Sequence, residues 1–446
     1  MKRRNFIKGA GTALTGGLVL SSNLLSAMHR ISANDKINIG VIGCNGMGWS
    51  NTNSLLKMPD VDLVGICDVD KNVINKRLAD YAKLRTSVPK TYNDYRELLN
   101  DKSIDAVVIG TPDHWHCKMM VDAVQAGKHV YVEKPIANSI AESQLMVAAQ
   151  EKTGKVVQAG QWQRSGPHYR KAIEIVQSGV LGKIRVVKVW AYQGWMKPVP
   201  VVPDGTAPEG VDYTMWLGPA PKRAFNANRF HFNFRWFWDY AGGLMTDWGV
   251  HEIDIALYAM KAEAPISVMA SGGKLAYPDD ASETPDTLQT VFQYKDFNML
   301  WEHATGIDGG PYGRREGIAF IGNNGTLVVD RQGYEVFVER DANGYDASSK
   351  GKMEPIEAFK RPAEVSYLDL HTQNFIEAVK KNSQSMLNTP IRSGSVAAIN
   401  AQMGNIAFKT GTKVFWDARQ NKFVDNAAAN KLIMPVYQNG WKMPSV

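Results

Sequence analysis

From Lys36 onward, short apolar runs alternate with longer amphipathic stretches. Residues 36–43 (KINIGVIG), 61–67 (VDLVGIC), 104–110 (IDAVVIG), 129–132 (HVYV) and 156–159 read as buried strands. Between them, 49–58, 118–126 and 141–153 have helical spacing. Strands alternating with helices predict a doubly wound parallel sheet. Ligands of such a sheet sit at the C-terminal strand ends, which puts Gly43, Asp68, Thr111, Lys134 and Gln161 along one edge. After Gln163 the rhythm changes. A helix over 168–178 leads to a strand at 183–192, a loop rich in proline and aromatics at 193–239, and a helix over 246–260. Strand-like runs follow at 287–294, 298–303, 317–321, 326–329 and 334–339. Residues 340–364 are polar and read as loop, and helices over 366–381 and 393–410 close the pattern. Consecutive strands predict an α+β domain with an open, mostly antiparallel sheet. The expected division is 34–160 for the first domain and 161–446 for the second.

The first 33 residues stand outside this pattern. They hold Lys2, Arg3, Arg4, Lys8 and Arg30, no acid, and a weakly apolar run over 9–25. The paired arginines before that run resemble a twin-arginine export signal, to be cleaved after Ala27 or Ala33. The expected partner is the twin-arginine export machinery, and the expected location is the periplasm. Without those five cations the formal charge of +7 falls to +2. A near-neutral body gives no reason to expect nucleic acid or an anionic membrane as partner. No run of about 18 apolar residues occurs, so no membrane anchor is expected. Cys44, Cys67 and Cys117 lack metal-site spacing and read as buried free thiols, with no metal.

Candidate chemistry begins at Gly43-Cys44-Asn45-Gly46-Met47-Gly48, between a strand and a helix. With Asp68 ending the next strand, this is the order of a dinucleotide-binding Rossmann fingerprint. Asn45 replaces its second glycine, and an asparagine tolerates positive φ better than most residues. Asp68, placed to bond the ribose hydroxyls, favours NAD over NADP. The cofactor-binding set read along this edge is Gly43, Asn45, Gly46, Met47, Gly48, Asp68, Thr111, Pro112, His116, Glu133, Lys134 and Gln161. His114 and His116 read as cofactor wall or structural residues, not metal ligands. Asp247 and His251, four apart, share one face of a helix. Either the carboxylate orients the imidazole as a general base, or Thr246 caps the helix and His251 is a core histidine. Arg164 and Tyr169, with His168, follow the last strand of the first sheet and are candidates to face the crevice. Trp238 is a candidate sugar platform, as are Trp162, Trp195, Trp236 and Trp248.

Six segments together carry a family resemblance: GVIGCNGMG, ICDVD, TPDHWH, AGKHVYVEKP, SGVLGKI and GGLMTDWGVHEID. Over about residues 35–415 the chain resembles the glucose–fructose oxidoreductase, inositol dehydrogenase and rhizopine-catabolism (Gfo/Idh/MocA) family. The resemblance implies that Lys134 touches the nicotinamide ribose and a substrate hydroxyl. It implies that His251 takes the hydroxyl proton, and that Asp247 positions the sugar or holds the imidazole. The implied activity is oxidation of a sugar, glycoside or polyol CH–OH group, and the family often forms dimers or tetramers. An exported enzyme would have to carry NAD out and keep it. The alternative is an NAD-dependent glycosidase or lyase working by 3-oxidation, elimination, hydration and re-reduction. Similar α-N-acetylgalactosaminidases lack the lysine that stands here as Lys134. A non-catalytic sugar-binding protein on the same scaffold is a third possibility, opposed by the joint presence of Lys134, Asp247 and His251.

Overall fold

The computed structural model describes residues 36–341 and 349–446. The segment read as an export signal, 1–33, lies outside the described residues. The first half runs β1 (Ile37–Ile42), α1 (Gly46–Leu55), β2 (Val61–Cys67), α2 (Lys71–Ala82), β3 (Lys90–Tyr92), α3 (Tyr95–Asn100), β4 (Ala106–Ile109), α4 (Asp113–Gln125), β5 (His129–Val132), α5 (Ile140–Thr153) and β6 (Val157–Ala159). Its strands form one parallel sheet in the order β3-β2-β1-β4-β5-β6. Strand order reverses between β1 and β4, which opens a crevice at their C-terminal ends. The central strand β4 is wholly buried, which explains its unbroken apolar run.

The sequence pattern missed α2, β3 and α3. The apolar residues of α2 are interleaved with charged ones, α3 is only six residues long, and both are started by side chains. Asp70 accepts from Asn72 N and Asp94 from Arg96 N, caps worth about 1 kcal/mol each. Helix α4 begins at Asp113 rather than near 118, directly after Pro112, so the histidines of TPDHWH are helical and buried.

The second half runs α6 (Pro167–Gln177), β7 (Val186–Gln193), α7 (Tyr213–Leu217), α8 (Gly243–Asp247), α9 (Gly249–Met260), β8 (Ser267–Gly273), β9 (Thr287–Gln293), β10 (Asn298–Thr305), β11 (Glu316–Ile321), β12 (Gly325–Asp330), β13 (Gly333–Val338), β14 (Phe359–Lys360), α10 (Tyr367–Lys380), α11 (Ile391–Thr410), β15 (Val414–Asp417), β16 (Lys422–Phe423) and α12 (Ala427–Lys431). Ten strands form an open sheet, β14-β13-β12-β11-β7-β10-β9-β8-β15-β16. Only β7 and β10 pair in parallel. Val187, Phe292, Met299, Phe320 and Leu327 turn one face into a core shared with α6, α9 and α11. The α/β class and both sheet types match the expectation. The helix expected over 246–260 does not: it breaks at Trp248 into α8 and α9. Strands β8, β15 and β16 were not foreseen, and β14 falls within the stretch read as loop.

Two irregular segments shape the crevice. Residues 194–242 fold over it around an aromatic core of Trp216, Phe230, Phe234, Phe237 and Tyr240. The C-terminal segment then ties them to the first half. Asn439 Nδ2 donates to the carbonyls of Gly218 (2.9 Å) and Ala220 (2.8 Å). Trp441 meets Trp115 edge-on at 4.8 Å, and Tyr437 OH donates to Glu142 Oε1 at 2.8 Å.

Candidate active site

The glycine turn depends on close backbone approach. A methyl group at Gly48 would overlap the Gly43 carbonyl oxygen, and one at Gly110 would lie 2.5 Å from Gly48 Cα. Positive φ falls on Gly43 (77°) and Gly46 (44°), not on Asn45, whose φ is −89°. Asn45 therefore fits the fingerprint because its position requires no left-handed conformation, which corrects the expected reason. Helix α1 has no side-chain cap and no acid in its first turn, so its N-terminus suits an anion such as a pyrophosphate. Arg77 braces the turn, donating from Nε to Cys44 O (2.9 Å) and from Nη2 to Asn45 Oδ1 (3.3 Å). Asp68 accepts from the amides of Cys44 (2.9 Å) and Asp70 (3.1 Å), and burial pushes its carboxyl up.

A cleft of about 470 Å³ runs from this turn, a volume within the range of small-molecule sites. Of the expected cofactor residues, Gly43, Asn45, Gly46, Met47 and Asp68 line one end. Thr111, Pro112, His116, Glu133 and Lys134 line the rest. Gly48 packs beneath the turn. Gln161 departs from the expectation: it is fully buried, outside the cleft lining, with both amide atoms unpartnered. His116 lies between the carbonyls of Thr111 (2.8 Å) and Pro135 (2.7 Å), tying the β4 and β5 turns together. Burial lowers it to about 4, which suits a neutral wall residue. No group of residues suited to a metal occurs among the described residues.

Charge converges at the far end. Lys134 Nζ donates to Asp247 Oδ1 (2.8 Å) and to Asp247 O (2.9 Å), and Arg235 Nε donates to the same Oδ1 (3.2 Å). Burial would raise Asp247, but Lys134 and Arg235 hold it at about 2. The break at Trp248 places Asp247 at the end of α8 and His251 in the first turn of α9. The Asp247 carboxylate is thus committed to Lys134 and Arg235 rather than to the imidazole. Thr246 is no helix cap; its Oγ1 accepts from Gly242 N at 3.1 Å. His251 is buried, its Nδ1 has no hydrogen-bond partner, and burial with the Lys134 charge holds it neutral.

Three residues here went unrecognised in the sequence: Arg235, His231 and Asp113. All three line the cleft. Only a position within TPDHWH marked Asp113, and nothing in the aperiodic loop marked the other two. His231 Nε2 meets Asp70 Oδ2 at 3.0 Å and its Nδ1 meets Asn45 Nδ2 at 3.3 Å, closing the loop onto the glycine turn. Asp113 is 6% exposed, and burial raises its carboxyl to about 8 although Arg235 and Lys134 pull it down. A raised acid stabilises the fold while protonated, below its ordinary value, and loses that contribution as pH rises through about 8. Asp113→Asn therefore leaves the melting temperature nearly unchanged at about pH 4 and raises it by several degrees at about pH 9, as a pH series of melting curves would read.

The expected substrate residues lie elsewhere. Arg164 forms a two-pronged ion pair with Asp254 (2.7 and 2.7 Å) and stacks over Tyr258. Tyr169 is fully buried, its hydroxyl accepting from Gln163 Nε2. His168 sits between Tyr367 OH and Asp330 O. Trp238 donates its indole N–H to Glu283 O, under the Lys409 ammonium. In each case a partner from the second half has claimed the polar group. Trp162 and Trp248 instead flank Arg331, whose guanidinium carbon lies 4.5 and 4.3 Å from their rings.

Residues 37–161 match the oxidoreductase family, NAD-binding Rossmann fold, and residues 166–299 and 356–443 match its C-terminal alpha/beta domain. An alpha-N-acetylgalactosaminidase of Shewanella oneidensis is 31% identical over 202 residues, 41% of this chain and 44% of that protein. The chain thus spans less than half the length of that relative. An uncharacterized oxidoreductase of Bacillus subtilis, YrbE, is 25% identical over 83% of this chain and 94% of its own length. A levoglucosan dehydrogenase solved with NADH and levoglucosan shares the fold, with a TM-score of 0.63 at 17% identity over 85% of this chain and 99% of that one. With a glycine turn that a side chain at Gly43 or Gly48 would fill, an open helix end and both domains matched, the chain belongs to the Gfo/Idh/MocA oxidoreductase family.

Proposed function

We propose that this chain oxidises a CH–OH group of a sugar, glycoside or polyol with an NAD molecule that it retains. The observation that carries this is the Lys134–Asp247–Arg235 cluster at the end of the dinucleotide cleft, with neutral His251 nearby. When bound, NAD supplies the hydride acceptor. Lys134 places a cation where alkoxide character develops. Asp247 holds the Lys134 ammonium in place and offers its remaining acceptor capacity to a substrate hydroxyl. His251, uncharged, takes the hydroxyl proton. Asp68 at the opposite end favours NAD, since a 2′-phosphate would meet a carboxylate.

Export through the twin-arginine route to the periplasm accords with Arg3 and Arg4 and demands a cofactor that stays bound. The His231 contacts and the C-terminal tie supply physical means of retention. Trp441→Ala accordingly speeds exchange of bound nucleotide for labelled NAD; an unchanged exchange rate would remove the C-terminal segment from this role. A homodimer or tetramer would use the bare sheet face, where Met269, Phe337 and Phe415 are about half exposed.

The direct test of activity is a panel of sugars and polyols added to the purified protein without free NAD. Growth of the reduced-nicotinamide absorbance band is expected for at least one compound, and its absence throughout would overturn oxidation. The galactosaminidase relative favours a second reading, cleavage of a glycoside with no net redox change. Solvent deuterium appearing at sugar C2 during turnover selects that reading.

A further inference from the structure

The turn between β12 and β13 brings Arg331 to the catalytic region. Arg331 is half-buried, held between the Trp162 and Trp248 rings, and Trp248 directly follows Asp247. His251 lies beside the same two rings, at 6.0 and 6.3 Å between centroids. Both Lys134 and Arg331 act on the His251 imidazole electrostatically, so a cation stands near it from each of two elements. Their partners differ. Lys134 is neutralised by Asp247, whereas no carboxylate of the described residues lies within ion-pair distance of Arg331. Its side-chain hydrogen bonds go to a neutral acceptor, Gln163 Oε1, from Nη2 at 3.1 Å and Nε at 3.4 Å.

The Arg331 charge pulls the buried Glu252 and Glu316 carboxyls down against their burial, but neither reaches its fork. Glu252 is engaged by Gln163 Nε2 (3.2 Å), and Glu316 accepts from the Arg331 backbone amide (3.4 Å) rather than from its guanidinium. Five guanidinium N–H groups in a fixed fork exceed what one amide oxygen satisfies. A guanidinium kept planar between two indoles, with no carboxylate of the described residues within ion-pair distance of its fork, suits two-pronged recognition of a carboxylate.

Resting on the oxidation reading above, we propose that Arg331 is a specificity residue and that the substrate is an acidic sugar. Its carboxylate pairs with Arg331 while the reacting hydroxyl lies toward Lys134 and His251.

The test compares D-glucuronate and D-galacturonate with D-glucose and D-galactose on the purified holoprotein, for wild type, Arg331→Gln and Arg331→Lys. Binding is read by tryptophan fluorescence and calorimetry, and oxidation by the reduced-nicotinamide band. The expected result is that a uronate binds more tightly than its neutral counterpart. Arg331→Gln weakens the uronate by at least about ten-fold more than the neutral sugar, and Arg331→Lys restores part of the loss. Nucleotide content and melting temperature serve as controls for folding. Neutral sugars binding as well as uronates, no binding of either, or equal losses for both classes in Arg331→Gln would overturn the proposal. A uronate that binds through Arg331 without reducing the cofactor would uphold acid recognition and overturn oxidation.

Discussion

Lys134→Met yields a folded protein that keeps its nucleotide and loses about 10²- to 10³-fold in the rate of nicotinamide reduction by its sugar. The lysine ammonium bonds both the carboxylate and the backbone carbonyl of Asp247 at 2.8–2.9 Å, so it is fixed before substrate arrives. A fixed cation needs no reorganisation when charge develops on the substrate oxygen, and this is the origin of the expected magnitude. Methionine has nearly the same length but no charge, and it leaves Asp247 to Arg235 alone. Arginine rescues poorly, because a larger, delocalised guanidinium does not put a compact point charge at the position of the ammonium. Rapid-mixing measurement of the reduction step, beside nucleotide content, separates a chemical loss from a binding loss. Undiminished reduction in Lys134→Met would show that the Lys134 charge takes no part in the hydride step.

Gly48→Ala is expected to abolish nucleotide retention and to lower stability by about 3 kcal/mol or more. The added methyl would overlap the Gly43 carbonyl and also meet Gly110 Cα at 3.4 Å, so every obstacle is backbone. Relief requires opening the β1–α1 turn, which is the dinucleotide cradle itself. Gly46→Ala provides the contrast. Its methyl would meet nothing within 4 Å, and its cost is the left-handed backbone at φ 44°, about 1 kcal/mol. Urea unfolding and nucleotide content distinguish the two variants. Equal behaviour would show that the cradle tolerates a side chain beneath it.

What the sequence made legible follows from how each element is stabilised. Strands such as β4 are buried on both faces and show as unbroken apolar runs. Helices α2 and α3 begin at aspartate caps, and α3 has only six residues, features that periodicity does not register. At the site, Lys134, Asp247 and His251 were legible by type and spacing. Their pairing was not, because a one-residue break at Trp248 sends the Asp247 carboxylate to Lys134 and Arg235. Arg164 was read as facing the crevice, yet Asp254 on α9 holds it in a buried ion pair. Arg235 and His231 come from a loop with no repeating pattern, so only the folded aromatic core of that loop places them in the cleft.

The most direct test of a retained, recycled nicotinamide cofactor is to unfold the protein as purified and identify and count the nucleotide released. About one equivalent of NAD or NADH per chain is the predicted result, with the reduced form increasing after exposure to the sugar substrate. Release of no nucleotide, or of NADP in its place, would contradict the account.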